Sequence, residues 1–301
     1  MKITVVVLNL NLSRDTINVV ADLKKQKLPA GWTLEIIVVD NGSSDNSVAV
    51  ILAAHPDITL LPGQTNLGVA GGYNRGIRHA LKHGTDFLIV SNNDLIIDQK
   101  DCLRILAETL LNNPSAGAAV PLIYFAKGFE YHENNYPKKD LGKVIWYAGG
   151  IIDRKNILMS HRGVDEIDCG RFSKTEPTDF ATGAFVMFPR KVLEKVGLFN
   201  EKYFAYLEDA ELSTRIVNAG YQLLFVPAAK ISHKVSQTAS GGIGGAANDY
   251  FITRNRLFYG MKYAPLRTKF ALLREAVKFL FSGRPKQKEA VRDFFLSFAF
   301  F

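Results

Sequence analysis

Short apolar runs of strand length alternate with longer amphipathic stretches through the first 122 residues of the chain. Residues 3–8, 34–39, 58–61, 87–90 and 118–122 are apolar and largely β-branched, and read as buried strands. Residues 15–26, 47–54, 70–82 and 100–111 carry the helical period, with Ser13 standing where the first N-cap would be. This alternation predicts an α/β fold, a mostly parallel central sheet with crossover helices on its faces. Polar stretches follow three of the strands: Asn9-Leu10-Asn11, the turn from Asp40 to Asp45, and Asn92-Asn93-Asp94. Open α/β sheets bind ligands at strand carboxyl ends, so these stretches are expected to converge on one crevice.

The pattern changes after the fifth run. Residues 124–174 are irregular and rich in Gly, Asn, Lys and Tyr, the composition of specificity loops or of mobile ones. A strand is expected over 180–188, a helix over 208–219 stopped by Gly220, and a last strand over 223–226. The glycines in 236–245 predict a flexible loop. The division expected is a sheet domain over 1–240 and a helical region over 246–301. In that region Leu266, Phe270, Leu273, Val277 and Leu280 fall on one helix face, flanked by Arg267, Arg274 and Lys278. Such a stripe either packs on the sheet domain or lies in a membrane interface with its basic side chains reaching the head groups.

Charge sharpens that choice. The 301-residue chain has a net charge of +8, and residues 246–301 hold eleven Lys/Arg against four Asp/Glu, seven of those eight charges. They also hold thirteen of the 31 Phe and Tyr, so this segment suits a polyanionic partner or a membrane surface. At 47% hydrophobic and 22% charged, the chain is globular and long enough for a substantial core. Cys102 and Cys169 make neither a disulfide framework nor a metal-ligand spacing, which fits a reducing cytoplasm. The first residues lack a signal-peptide pattern, and no run approaches the roughly 18 apolar residues of a spanning helix. There is no G-x-G-x-x-G after a strand and no G-x-x-x-x-G-K-[ST], so dinucleotide and P-loop readings lack support.

The candidate chemistry is a set of acids at element ends. Asp94, closing Asn92-Asn93-Asp94, is placed to offer a carboxylate to a divalent cation, which needs one or two such ligands when phosphate supplies the rest. The same tripeptide is also turn chemistry. Asp40 suits a base or ribose hydrogen bond, or starts an Asx-turn. Glycines 68, 71 and 72 open a helix, either admitting a nucleotide to the backbone or packing tightly. Glu208, Asp209 and Glu211 stand in one first helical turn, where the macrodipole favours acids, and where a general base for an acceptor hydroxyl is also at home. His233, expected just after the last strand, is structural or completes a metal shell.

Read in order, these residues resemble the bacterial family 2 glycosyltransferases of GT-A fold, and within them the rhamnosyltransferase-like branch. The matching segments are 7–11, 38–45 (Val38 to Asp45), 66–74 (Asn66 to Asn74), Asn92-Asn93-Asp94, 181–185 around Thr182-Gly183, 204–212 around Glu208-Asp209, His233 and 250–256 around Arg254-Asn255. The resemblance implies that Asn9, Asn11 and Asp40 surround the nucleoside, with Gly42, Gly72, Asn74 and Asn93 on the nucleotide-sugar side and Arg254 on phosphate. It implies Asp94 and His233 as ligands of Mg²⁺ or Mn²⁺, Thr182 and Gly183 beside sugar and acceptor, Asp209 as the base and Glu208 as its neighbour orienting substrate. Two positions depart from the family pattern: the first acid of D-x-D is Asn92, and the acid after Glu-Asp is Glu211.

The reaction implied is an inverting transfer of a sugar from a nucleotide-diphospho-sugar, with dTDP-rhamnose a candidate donor, to a hydroxyl of a cell-surface glycan or lipid-linked acceptor. The expected location is cytoplasmic, at the inner face of the membrane, with residues 264–301 in peripheral contact with anionic lipid and no nucleic-acid partner. Two other classes compete. A sugar-1-phosphate nucleotidyltransferase would want a Gly-rich basic loop after the first strand, and residues 9–13 contain neither Gly nor Lys. A non-catalytic glycan- or nucleic-acid-binding module would use the basic tail but leave the ordered acids without a purpose.

Overall fold

The computed structural model describes residues 1–235 and 246–298, and the glycine-rich segment at 236–245 lies outside the described residues. The first half follows the alternation: β1 (Lys2–Asn9), α1 (Ser13–Lys24), β2 (Thr33–Asp40), α2 (Ser47–Ala54), β3 (Thr59–Pro62), α3 (Gly68–Lys82), β4 (Phe87–Ser91), β5 (Leu95–Ile96), α4 (Cys102–Asn112) and β6 (Ala116–Phe125). The second half supplies β7 (Ile145–Tyr147), β8 (Gly150–Asp153), β9 (Leu158–His161), β10 (Glu176–Pro177), β11 (Phe185–Pro189), α5 (Arg190–Val196), α6 (Glu208–Asn218) and β12 (Gln222–His233). Three helices follow: α7 (Ala246–Tyr263), α8 (Leu266–Ser282) and α9 (Pro285–Phe298).

The main sheet runs β10-β12-β6-β11-β4-β1-β2-β3, with β5 on β12 and β7 on β6. β1 pairs in parallel with β2 and β4, and its register sets Asn9 beside Asp40 and Val7 beside Ser91. The carboxyl ends of these strands therefore finish in one layer. Val5, Val6, Val7, Ile37, Val38, Leu88, Ile89 and Val90 have no exposed surface, because helices cover both faces of a parallel sheet. Each such side chain contributes about 1.5–3 kcal/mol of burial.

Four expectations change. β11 begins at Phe185, antiparallel to β4: one further bond, Asn92 N–H to Ala184 C=O, prolongs the pairing, but Gly183 N–H donates to Asp209 instead of to a strand. β12 is far longer than 223–226 and continues past a register shift between Val226 and Lys230 to include His233. Ser13 is the first helical residue of α1 rather than its cap, and Leu12 at the cap position makes no side-chain bond. The apolar stripe of α8 splits: Leu273 and Leu280 are half-buried beside the inward-packed Thr268, Leu272 and Ala276, whereas Leu266, Phe270 and Val277 are exposed.

The last three helices enclose a second apolar cluster, formed by Leu257, Tyr259, Leu272, Ala276, Val291 and Phe294 with Ile157 and Tyr203 from the preceding chain. Among the described residues no helix is long and apolar enough to cross a membrane.

α3 packs on the sheet through glycine. A Cβ on Gly76 would lie 2.3 Å from Val6 Cγ1 and 2.9 Å from Val39 Cγ2, and one on Gly72 would lie 2.4 Å from Leu8 Cδ1. Val6 and Val39 are themselves immobilised in the sheet, so the helix must move away. Gly76→Ala is expected to cost about 1–3 kcal/mol by overpacking, read as a lower Tm in thermal unfolding followed by circular dichroism.

Candidate active site

The floor of the crevice is a chain of buried polar side chains across the strand ends. Asn9 Nδ2 donates to Asp40 Oδ1 at 2.8 Å, Thr16 Oγ1 donates to Asn9 Oδ1 at 2.7 Å, and Asn93 Nδ2 donates to Thr16 Oγ1 at 3.0 Å. Asp40 also accepts from Ser43 Oγ at 2.5 Å and Ser43 N–H at 3.0 Å, closing its own turn. Of the two readings of Asp40, the turn is the one its hydrogen bonds display. Asn11 takes a positive φ of 54° and accepts from Ser44 N–H at 2.8 Å. Gly42, at φ 84°, sits so close to Thr65 that a Cβ would meet its carbonyl carbon at 2.7 Å.

One side of the crevice carries Asp94 and His233, which the pairing of β5 with β12 brings together. His233 Nε2 lies 2.9 Å from Asp94 Oδ1, both side chains being nearly inaccessible. The ring of Trp146 stands perpendicular to that of His233 with centroids 4.5 Å apart, and His233 Nδ1 is buried without a hydrogen-bond partner. Behind them burial pushes His161 down to about 4, so that ring stays neutral at physiological pH, its Nδ1 3.0 Å from Trp146 C=O. One carboxylate and one imidazole do not enclose a metal, and among the described residues no third His, Cys, Asp or Glu joins them. That donor set suits a cation whose remaining ligands come from a bound phosphate and water.

The other side carries Glu208 and Asp209 at the start of α6. Asp209 Oδ2 accepts Gly183 N–H at 2.9 Å and Oδ1 accepts Ala210 N–H at 2.7 Å. Glu208 is buried, and its Oε2 has no partner. Burial and the adjacent Asp209 carboxylate push Glu208 up to about 8, and burial pushes Asp209 up as well. Backbone N–H bonds favour the ionised form of Asp209 more than that of Glu208, so Asp209 is the readier of the two to ionise. Glu211 differs from both: fully buried, it accepts from Arg215 Nε at 2.9 Å, Lys262 Nζ at 2.9 Å and Tyr263 OH at 2.7 Å. Burial alone would raise its pKa, but those bonds outweigh it and hold the carboxyl below its ordinary value.

Tyr73 joins the two sides. Its hydroxyl lies 2.9 Å from Asn92 Oδ1 and 3.2 Å from Gly183 O, and burial followed by the charges of Glu208, Asp94 and Asp209 drives its pKa well upward. The charges of all three acids thus bear on one buried phenol. Thr182 is buried beside them, its Oγ1 accepting Ala184 N–H at 3.3 Å.

The loop before Glu208 is strained and clamped. Phe204, Tyr206 and Leu207 all have positive φ, near 60°, which costs about 1–3 kcal/mol for each such residue. Asn255 Nδ2, fully buried on α7, lies 2.7–2.8 Å from the carbonyls of Tyr203, Ala205 and Tyr206. From the opposite side Val69 N–H, in the first turn of α3, donates to Phe204 C=O at 2.6 Å. Arg254 lies 2.9 Å from Lys202 C=O and 3.2 Å from Tyr203 C=O, among the rings of Tyr250, Phe251 and Phe258. Asn74 bridges α3 to Phe199 C=O at 2.8 Å and Phe199 N–H at 3.0 Å.

The structure thus brings Asp94, His233, Thr182, Gly183, Glu208 and Asp209 to one crevice. Asn9, Asn93, Gly42, Gly72 and Asn74 are occupied in building its walls, and Arg254 in bracing the 203–207 loop. Sequence reasoning gave no role to Tyr73, Trp146, His161, Thr16 or Asn255. Tyr73 and Asn255 lay inside matched segments, where an aromatic after two glycines and an Asn within a helix were the available signals.

The glycosyl transferase family 2 profile matches residues 4–197. The chain belongs to glycosyltransferase family 2. The glycosyl transferase family group 2 profile matches residues 143–298 and so includes the C-terminal helices. The chain is 27% identical over 210 residues to the N-acetylglucosaminyl-diphospho-decaprenol L-rhamnosyltransferase of Mycobacterium tuberculosis strain H37Rv, covering 66% of each chain. It is 27% identical over 233 residues to the poly-beta-1,6-N-acetyl-D-glucosamine synthase of Staphylococcus aureus strain COL, covering 75% of this chain and 48% of that one. The alignments thus span from about half to two thirds of these relatives. A solved mannosyltransferase from Pyrobaculum calidifontis, in complex with GDP-Man and Mn²⁺, superposes with a TM-score of 0.57 at 19% identity, covering 99% of this chain and 74% of that one. The fold of this glycosyltransferase is GT-A, a central sheet flanked by helices with a helical C-terminal extension.

Two outcomes follow from this geometry. Asn255→Ala should leave buried carbonyls unpaired, at about 1–3 kcal/mol, and speed hydrogen exchange across 203–209 more than in the sheet. The raised Glu208 makes the folded state bind a proton that the unfolded chain releases, so its contribution to stability is full below about pH 4.5 and is lost as pH rises toward 8. Glu208→Gln should therefore flatten the fall of Tm across that window.

Proposed function

We propose that this glycosyltransferase transfers a sugar from a nucleotide-diphospho-sugar to a hydroxyl of a cell-surface glycan or lipid-linked acceptor, with inversion at the anomeric carbon. The observation that carries this reading is the pairing, around Tyr73, of Asp94 and His233 on one side with Glu208 and Asp209 on the other. The mycobacterial relative is named as an L-rhamnosyltransferase of N-acetylglucosaminyl-diphospho-decaprenol, which supports rhamnose as the sugar, carried in this proposal by dTDP, and a lipid-linked acceptor. The proposed place of work is the cytoplasmic face of the membrane, with residues 1–240 as the catalytic domain and 246–301 as its helical extension.

Asp209 is the general base. Its carboxylate takes the proton of the acceptor hydroxyl as that oxygen attacks the anomeric carbon and the bond to the diphosphate breaks. Gly183 N–H fixes the carboxylate, and Glu208, the harder of the two to ionise, adds less repulsion beside it. Asp94 and His233 would hold Mg²⁺ or Mn²⁺, as the bound Mn²⁺ of the mannosyltransferase encourages. Such a cation offsets charge developing on the departing diphosphate.

Titration calorimetry with UDP, dTDP and GDP, with and without Mn²⁺, tests the donor side. One diphosphate should bind at least about tenfold tighter with Mn²⁺, and Asp94→Asn should abolish that gain, a loss of about 1.4 kcal/mol or more. Asp209→Asn should keep diphosphate binding and lose about 10²–10⁴-fold in turnover. Failure of all three diphosphates to bind under either condition would overturn the proposal.

A further inference from the structure

The outward face of α8 has no partner among the described residues. Leu266 is 73% exposed, Phe270 69%, Val277 48% and Phe281 79%. On a helix of 3.6 residues per turn these four and the half-buried Leu273 fall within about 80° of arc. Arg274, Arg267 and Lys278, all exposed, occupy the next roughly 60°. The opposite face is the anchored one. Leu272 fits against Gly260 of α7, where a Cβ would come within 2.2 Å of Leu272 Cδ1, and Thr268 Oγ1 donates to Lys155 C=O at 3.2 Å. The apolar stripe is therefore not a core face awaiting rearrangement.

We infer that this face of α8 docks the enzyme onto an anionic lipid surface, the stripe entering the acyl boundary and the basic row meeting the head groups. Two observations select lipid over other occupants. A second copy of the chain would bring one basic row against another, in a region that already carries eleven Lys/Arg and four Asp/Glu. A soluble polyanion would use Arg267, Arg274 and Lys278 but leave two phenylalanines in water. An interface that wants bulky apolar side chains on one side and cations on the other is that of a bilayer with anionic lipid. No described helix is fit to cross it, so the helix lies on the surface. The docking rests on α8 alone; what it supplies to the proposed reaction is proximity to a lipid-linked acceptor.

Flotation of the full-length protein with phosphatidylglycerol and with phosphatidylcholine vesicles tests the inference. Wild type should float with the anionic vesicles, weakly with the neutral ones, and less as salt rises. Phe270→Glu/Phe281→Glu should lower partitioning at least about tenfold, and Arg267→Glu/Arg274→Glu/Lys278→Glu should remove the preference for anionic lipid. All these positions are solvent-exposed, and unchanged thermal unfolding would verify that the variants fold. Absence of flotation by wild type, or flotation undiminished in the phenylalanine variant, overturns the inference. So does a concentration-dependent dimer in sedimentation that the same variant abolishes, which would assign the face to a second copy. Metal-dependent diphosphate binding by the variants is read separately, so failure of docking and failure of the transferase reading give different results.

Discussion

The crevice depends on a row of buried polar groups that satisfy one another where the parallel strands end. Asp40, Asn9, Thr16 and Asn93 belong to β2, β1, α1 and the β4–β5 connection, and each hydrogen bond joins two of these elements. All four side chains are buried. A buried polar group left without a partner costs about 1–3 kcal/mol, so shifting any one strand end would leave partners unpaired in more than one element. The in-register pairing of Asn9 with Asp40 makes the row possible. Asn93, its last member, immediately precedes Asp94, so the register of β1 and β2 reaches the carboxylate on the other side of the crevice through three hydrogen bonds.

The wall opposite is made differently. No strand end presents Glu208 and Asp209; they follow a loop with three side-chain-bearing residues in the left-handed region. Such a loop persists only when its surroundings over-determine it. Here Asn255 holds three carbonyls from the C-terminal side and α3 holds Phe204 C=O from the sheet side. Glu211, one turn into α6, is fastened by Lys262 and Tyr263. The helical extension is thus part of the wall, consistent with a family profile that runs from 143 to 298 across both.

Much of this was legible in the sequence where local pattern and tertiary role coincide. The apolar runs preceding Asn9, Asp40 and Asn92 could only be strands, and their polar ends had to meet. The sequence is silent where partners lie far along the chain. Asn74 suits a ligand by type, but Phe199, 125 residues away, takes both its donor and its acceptor. His233 was read as following the last strand because Pro227 interrupts the apolar run; the sheet resumes beyond the irregularity and carries the histidine to Asp94. The stripe on α8 is periodic, yet periodicity gives a face without saying what covers it: Leu273 and Leu280 at its edge pack inward, and two of the buried residues, Thr268 and Ala276, are too small or polar to stand out. Trp146 and His161 fell in a stretch with no period at all.

Adjacent acids at a helix start show how little identity alone decides. Glu208, Asp209 and Glu211 share the same macrodipole, which lowers all of their pKa values by a similar small amount. Their environments pull them apart by more. Three cationic or hydroxyl donors make Glu211 a fixed anion and a fastening for the C-terminal helices. Two backbone N–H groups favour the ionised form of Asp209, whereas Glu208 is buried with one oxygen unpartnered and is raised by the neighbouring carboxylate as well. A pair in which one member is the harder to ionise can sit side by side with less mutual repulsion, which is how two adjacent buried acids persist at one helix start.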